Sequence, residues 1–195
     1  YLRRSNATVR GNSFIDNRSL NGGSVFVYEG NVNFENNTFH SNVASQEGGA
    51  INVNTGTVTL TNNFITNNQD STDKSGIFLN SSSASLTHNT IARNGNTGIH
   101  VNGTLPITLT NTILVSHTIG ILSNGPVTLH NTLWGAGIWK NSTDWSGSGI
   151  FTTFNDHWSD PDFINPPTGN FHIGLSSGAI DAGIPTDTSL DIDLQ

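Results

Sequence analysis

Short runs of apolar residues at every second position recur along this chain, each broken by Asn or Gly. One form is apolar-x-apolar-x-x-Asn-x-apolar. It reads Ala7-Thr-Val-Arg-Gly-Asn-Ser-Phe14, Val32-Asn-Phe-Glu-Asn-Asn-Thr-Phe39, Val58-Thr-Leu-Thr-Asn-Asn-Phe-Ile65 and Ala84-Ser-Leu-Thr-His-Asn-Thr-Ile91. Two shorter copies follow, Ile107-Thr-Leu-Thr-Asn-Thr-Ile113 and Val127-Thr-Leu-His-Asn-Thr-Leu133. Aligned on their Asn, the copies place Asn12, Asn37, Asn63, Asn89, Asn111 and Asn131 at one position, with spacings of 25, 26, 26, 22 and 20 residues. A second form, Gly followed by alternating apolar residues, interleaves with the first at Gly23, Gly49, Gly76, Gly98, Gly120 and Gly137.

Period-2 alternation in short runs predicts strands, and no stretch has a helical period with caps. Repetition every 20–26 residues predicts a solenoid in which each repeat is one coil. A leucine-rich repeat needs a denser Leu pattern than these Val-, Ile- and Thr-rich copies supply. The expectation is therefore an all-β parallel β-helix of about six to seven coils, with coils about 4.8 Å apart. Right-handedness follows from the usual chirality of parallel β connections.

Inward residues should then stack into columns. Val9, Phe34, Leu60, Leu86, Leu109 and Leu129 form one; Phe14, Phe39, Ile65, Ile91, Ile113 and Leu133 a second; Val25, Ile51, Ile77, Ile99 and Ile121 a third. The glycines are expected at corners that demand φ > 0. The six aligned Asn residues are expected to form a ladder, each side chain bonding to the next coil.

Composition sharpens this reading. The chain holds 27 Asn against 7 Lys and Arg, and only 11% of it is charged. Asn disfavours both helices and ordinary strands, so its abundance points to a repeated structural role. A net charge of −7 leaves no basic face for nucleic acid. With no Cys there are no disulfides and no thiolate metal sites. No apolar run reaches the roughly 18–20 residues that span a bilayer. No signal peptide is visible, and the chain starts with Tyr1 almost inside a repeat, as expected of a mature or truncated piece of a longer product.

The pattern changes near Asn141. Residues 1–140 are read as the repeats and 141–195 as a cap that closes the solenoid, since an open end exposes strand edges. All four tryptophans, Trp134, Trp139, Trp145 and Trp158, fall here. They are expected to serve as the core of the cap, with a sugar-stacking platform as the alternative. The segment contains Asp160-Pro161-Asp162-Phe163, Gly169-Asn170-Phe171, Ser177-Gly178-Ala179-Ile180-Asp181-Ala182-Gly183 and Asp191-Ile192-Asp193. In these motifs it resembles the end of the β-helix module of choice-of-anchor Q proteins, a group of bacterial surface and secreted proteins. It departs from their pattern at Asn170, at Gly178 and at Leu194. The earlier repeats resemble the wider pectate-lyase-like superfamily in pattern. The resemblance implies an extracellular or cell-surface protein, in a family that often continues toward an anchor.

Chemistry is sparse. A lyase of this fold needs an acidic Ca²⁺ site and a strong base, and a hydrolase needs paired carboxylates. Within the repeats, Glu29 with Glu35, and Asp70 with Asp73 and Lys74, are the groupings that approach this. Asp156, Asp160 and Asp162, and Asp187, Asp191 and Asp193, cluster in the C-terminal segment. A solvated loop is expected for Asp70, Asp73 and Lys74, and turn and cap roles for the C-terminal clusters; no cofactor is expected, with a Ca²⁺ site in those clusters as the alternative. The histidines, 40, 88, 100, 117, 130, 157 and 172, form no zinc pattern. No nucleophile elbow or phosphate loop occurs. Glycosylation sequons at Asn6, Asn17, Asn36, Asn80, Asn102 and Asn141 matter only in a host that glycosylates its surface proteins.

The expected function is a non-catalytic structural or adhesive β-helix on the cell surface, meeting glycans or proteins along its sides. A polysaccharide lyase or hydrolase is the alternative enzyme reading, and a glycan-binding module the alternative binding one. Self-assembly through the coil ends is a third expectation, since Ala7 to Phe14 begins mid-coil.

Overall fold

A computed structural model describes residues 1–71 and 75–187. Asp73, Lys74, Asp191, Asp193 and Leu194 lie outside the described residues. Alternating strands stack in register into a parallel β-solenoid of about six turns. Sheet A runs Leu2–Arg3, Val25–Tyr28, Ile51–Asn54, Ile77–Asn80, Thr97–Asn102, Ile119–Ser123 and Thr143–Ser146. Sheet B runs Asn6–Arg10, Asn31–Glu35, Thr57–Thr61, Ser83–Thr87, Ile107–Thr110, Val127–His130 and Phe151–Phe154. Sheet C holds Ser13–Ile15, Thr38–His40, Phe64–Thr66, Thr90–Ala92 and Ile113–Val115, and bridges at Leu133 and His157 continue it. A short sheet D pairs Arg18–Ser19, Val43–Ala44 and Gln69–Asp70.

The columns led by Val9 and Val25 stack as the pattern predicts. The second column holds as far as Ile91 and then departs from expectation. Ile91 pairs with Leu114, not Ile113, so the inward column reads Phe14, Phe39, Ile65, Ile91, Leu114 and Trp134. Ile113 and Leu133 point out of the solenoid and are buried from outside.

The Asn ladder shifts for the same reason. Asn12, Asn37, Asn63 and Asn89 form it: the side-chain carbonyls of Asn37, Asn63 and Asn89 each accept from the main-chain N–H of the Asn one coil back, at 3.0 Å. The next rungs are Thr112, Thr132 and Asp156, where the Asp156 carboxylate accepts from the Thr132 N–H at 2.9 Å. Asn111 and Asn131 lie one position earlier, below His88. That column is left-handed throughout, from Gly11 at φ 65 through Asn36, Asn62, His88, Asn111 and Asn131 to Asn155 at φ 55. Asn suits it because a short amide side chain tolerates φ > 0. A second ladder, Asn17, Asn42, Asn68 and Asn94, runs at the next corner, with amide-to-amide bonds of 2.8–2.9 Å.

The corner glycines have a different cause from the one expected. Gly23, Gly49, Gly76, Gly98 and Gly120 are not among the positive-φ positions, whereas their neighbours Gly22 and Gly48 are. What they lack is room. A Cβ on Gly49 would meet the Gln69 backbone at 2.6 Å, and one on Gly98 the Gly120 carbonyl at 2.7 Å. Gly137 is not in this column; it sits in the 3-10 turn Gly137–Trp139, and Asp144 faces Gly120 instead. Gly49→Ala is therefore expected to destabilise the fold by about 2 kcal/mol, as overpacking does. Gly137→Ala meets nothing within 4 Å and carries only the strain of its φ of 57, about 1 kcal/mol. Equal losses in urea unfolding would refute the close-approach account.

The solenoid continues past residue 140. Thr143–Ser146 and Phe151–Phe154 join sheets A and B as a further rung. The sequence hides them because Asp144 stands where the corner glycine would be and Thr153 interrupts the apolar column that runs through Leu129. Nor do residues 163–187, the last described part of the segment, close the solenoid end. They fold back along the flank, from the antiparallel pair Phe163–Asn165 and Asn170–Ile173 onward. Phe163 and Phe171 cover the outward Ile113, Val115, Leu133 and Trp139. We call residues 163–187 the strap.

Candidate binding cleft under the strap

The left-handed corner column holds the strap. The Asn111 amide donates to the Ile184 carbonyl at 2.8 Å and accepts from the Ile184 N–H at 2.9 Å, as a strand partner would. Asn131 donates to the Ala182 carbonyl at 2.6 Å, and His88 Nε2 meets Thr186 Oγ1 at 2.7 Å. Successive rungs thus engage alternate strap residues. Gly183 lies between them, where a Cβ would sit 3.1 Å from the Asn111 amide. The Ala179-Ile180-Asp181-Ala182-Gly183 run has this physical job.

Between the strap and the solenoid lies a cavity of about 430 Å³. Ile113, Leu133, Phe171 and Ala179 form apolar wall; Asn111, Asn131, His88, His157 and His172 supply polar wall. No Asp, Glu, Lys or Arg lines it among the described residues. Partial burial pushes the His88 imidazole below its ordinary pKa, which favours its neutral form. Asn131 Oδ1 and His157 Nε2 are buried without a hydrogen-bond partner. From the sequence, Asn111 and Asn131 read as ladder residues, with a ligand-binding Asn array as the lesser alternative, and His88, His157 and His172 as no site. The signal available was the Asn-to-His change at position 88 of the repeat.

The tryptophans do not form one platform. Trp134 is fully buried at the end of the inward column, 5.4 Å from Trp145, and donates to Asp156. Trp145 is half-buried against Phe151. Trp139 is buried outside sheet C, with the Arg93 guanidinium 4.4 Å from its ring centre. Trp158 alone is exposed, and it donates to Asp144.

Several carboxylates are held in structural bonds. Asp70 accepts from the Ser75 N–H, Asp160 from the Asp162 N–H and Asp162 from the Ser176 N–H. Glu29 pairs with Arg4, whose guanidinium holds the carboxyl below its usual range, and Glu35 lies 3.9 Å from Arg10. No group of three or more His, Cys, Asp and Glu is placed to hold a metal among the described residues. The Asn17 and Asn141 sequons are engaged in ladder bonds; Asn6 and Asn102 are exposed.

Residues 1–114 match the family model described as a right handed beta helix region. Searches of curated proteins and of solved structures found no match.

Proposed function

Because the chain belongs to the right-handed β-helix family, we propose that it is a non-catalytic, extracellular structural and adhesive module that meets neutral glycans along its sides. One observation carries this reading. The carboxylates of Asp70, Asp156, Asp160 and Asp162 accept from backbone N–H groups and those of Glu29 and Glu35 face arginines, while the outer face of sheet B presents mainly hydroxyls and amides. Its central column is Thr8, Asn33, Thr59, Ser85, Thr108, Thr128 and Thr152, in register and without a charge. Such a column offers many hydrogen bonds and no acid–base pair; the Arg10–Glu35 pair lies at the edge of the same face. The resemblance of residues 159–195 to choice-of-anchor Q proteins supports a place on a bacterial surface.

The test is affinity electrophoresis through gels containing neutral or acidic polysaccharides, with assays for new reducing ends and unsaturated products. Retardation in neutral gels without product is the expected result. Product formation would overturn the non-catalytic reading, and no retardation in any gel would overturn glycan adhesion.

A further inference from the structure

We propose that the cavity under the strap is a binding site for a single neutral pyranose ring. The site is separate from the outer face of sheet B and does not depend on that face being adhesive. Three features specify the ligand. The volume, about 430 Å³, lies within the range of small-molecule sites. The absence of charged lining among the described residues disfavours an ionic ligand, which would lose its hydration without gaining a counter-charge. The lining combines apolar side chains, Ile113, Leu133 and Phe171, with polar ones, Asn111, Asn131 and His157. A pyranose matches this mixture, with C–H groups for the first and hydroxyls for the second.

The polar wall also carries a deficit. Asn131 Oδ1 and His157 Nε2 lack partners, and buried polar atoms are rarely left so. Neither atom exposes area, so a small rotation of the imidazole or amide accompanies binding. A ligand hydroxyl then donates to Asn131 Oδ1, and another exchanges a hydrogen bond with His157 Nε2. Exposed Ile173 and Gly183 mark where the cavity meets solvent.

The experiment is saturation-transfer NMR and titration calorimetry with methyl glycosides of neutral hexoses, alongside methyl hexuronates. Saturable binding of at least one neutral glycoside, and none of the uronates, is expected. His157→Leu should weaken it at least tenfold. The rung hydrogen bonds at this position come from the main chain, so the fold should persist. Ala179→Phe, which fills the cavity, should abolish binding. Circular dichroism and thermal unfolding verify that each variant is folded. Binding by no neutral glycoside, preference for uronates, or binding unchanged in a folded Ala179→Phe would each overturn the proposal. Because the ligands are single rings, the outcome stands apart from retardation by long polysaccharides.

Discussion

Asn63→Ala should destabilise the solenoid by about 4 kcal/mol. The Asn63 side chain is buried and touches three coils at once. Its carbonyl accepts from the Asn37 N–H and from the Asn37 amide, each at 3.0 Å. Its amide donates to the Phe34 carbonyl, the Thr61 carbonyl and Asn89 Oδ1 at 3.0–3.1 Å. Truncation leaves the Asn37 N–H bare in the interior and takes a donor from Asn89. Each buried group left without a partner costs about 1–3 kcal/mol, and solvent cannot enter to replace it. The exposed Asn102 provides the contrast. It donates to Asn80 at 3.0 Å in a surface ladder, where water replaces the bond, and its truncation should cost below about 0.5 kcal/mol. Urea unfolding of the two variants measures the difference. Equal losses would mean that the inner ladder contributes no more than the outer one.

The same ladder marks where the sequence stopped being readable. Asn12, Asn37, Asn63 and Asn89 were legible because a stacked amide wants an identical neighbour, so residue identity repeats with the coil. Asn111 and Asn131 misled because two adjacent corner positions both favour Asn for different reasons. One needs an amide that bridges coils; the other needs a residue that tolerates a left-handed backbone. Where Thr112 and Thr132 replace the first kind, the second kind looks like the ladder, and alignment on Asn slips by one residue. A slip of one reverses a strand's faces. That is why Ile113 and Leu133 were assigned to the interior when they lie beneath the strap.

The second ladder was present in the sequence as a constant five-residue step, from Asn12 to Asn17, Asn37 to Asn42, Asn63 to Asn68 and Asn89 to Asn94. It carries no flanking apolar pattern, which left it unseen. The cleft was not legible for another reason. It is formed by residues that lie far apart in sequence, such as Asn111 with Ile184, and nothing local records where a returning segment will lie. The carboxylates show the reverse case. Their scarcity in the repeats was plain, and the structure adds that those of Asp70, Asp156, Asp160 and Asp162 serve the backbone.

Acid should weaken the fold through one interior histidine. His117 follows Asn94 in the second ladder, and Asn141 follows His117, accepting from its main-chain N–H at 2.9 Å. The imidazole is buried, with Nδ1 3.2 Å from Asn141 Oδ1 and Nε2 without a partner. Burial pushes its pKa from 6.5 down to about 4, opposed only in part by the hydrogen bond to Asn141. The folded state therefore favours the neutral ring, while the unfolded chain takes up a proton near pH 6.5. Stability from this group is complete above about pH 6.5, falls as the pH drops through the window, and levels off below about pH 4. At about 1.4 kcal/mol per tenfold change in proton affinity, the whole loss is about 3 kcal/mol. His88, also depressed by burial, adds to the slope with the same sign. His117→Asn replaces the titrating ring with the amide that the ladder uses elsewhere. Urea unfolding of both proteins between pH 7 and pH 4 separates the causes. The variant should lose most of the slope whatever its stability at neutral pH, because it has nothing to protonate at that rung. A slope unchanged in the variant would place the acid sensitivity in other groups and leave His117 as packing alone.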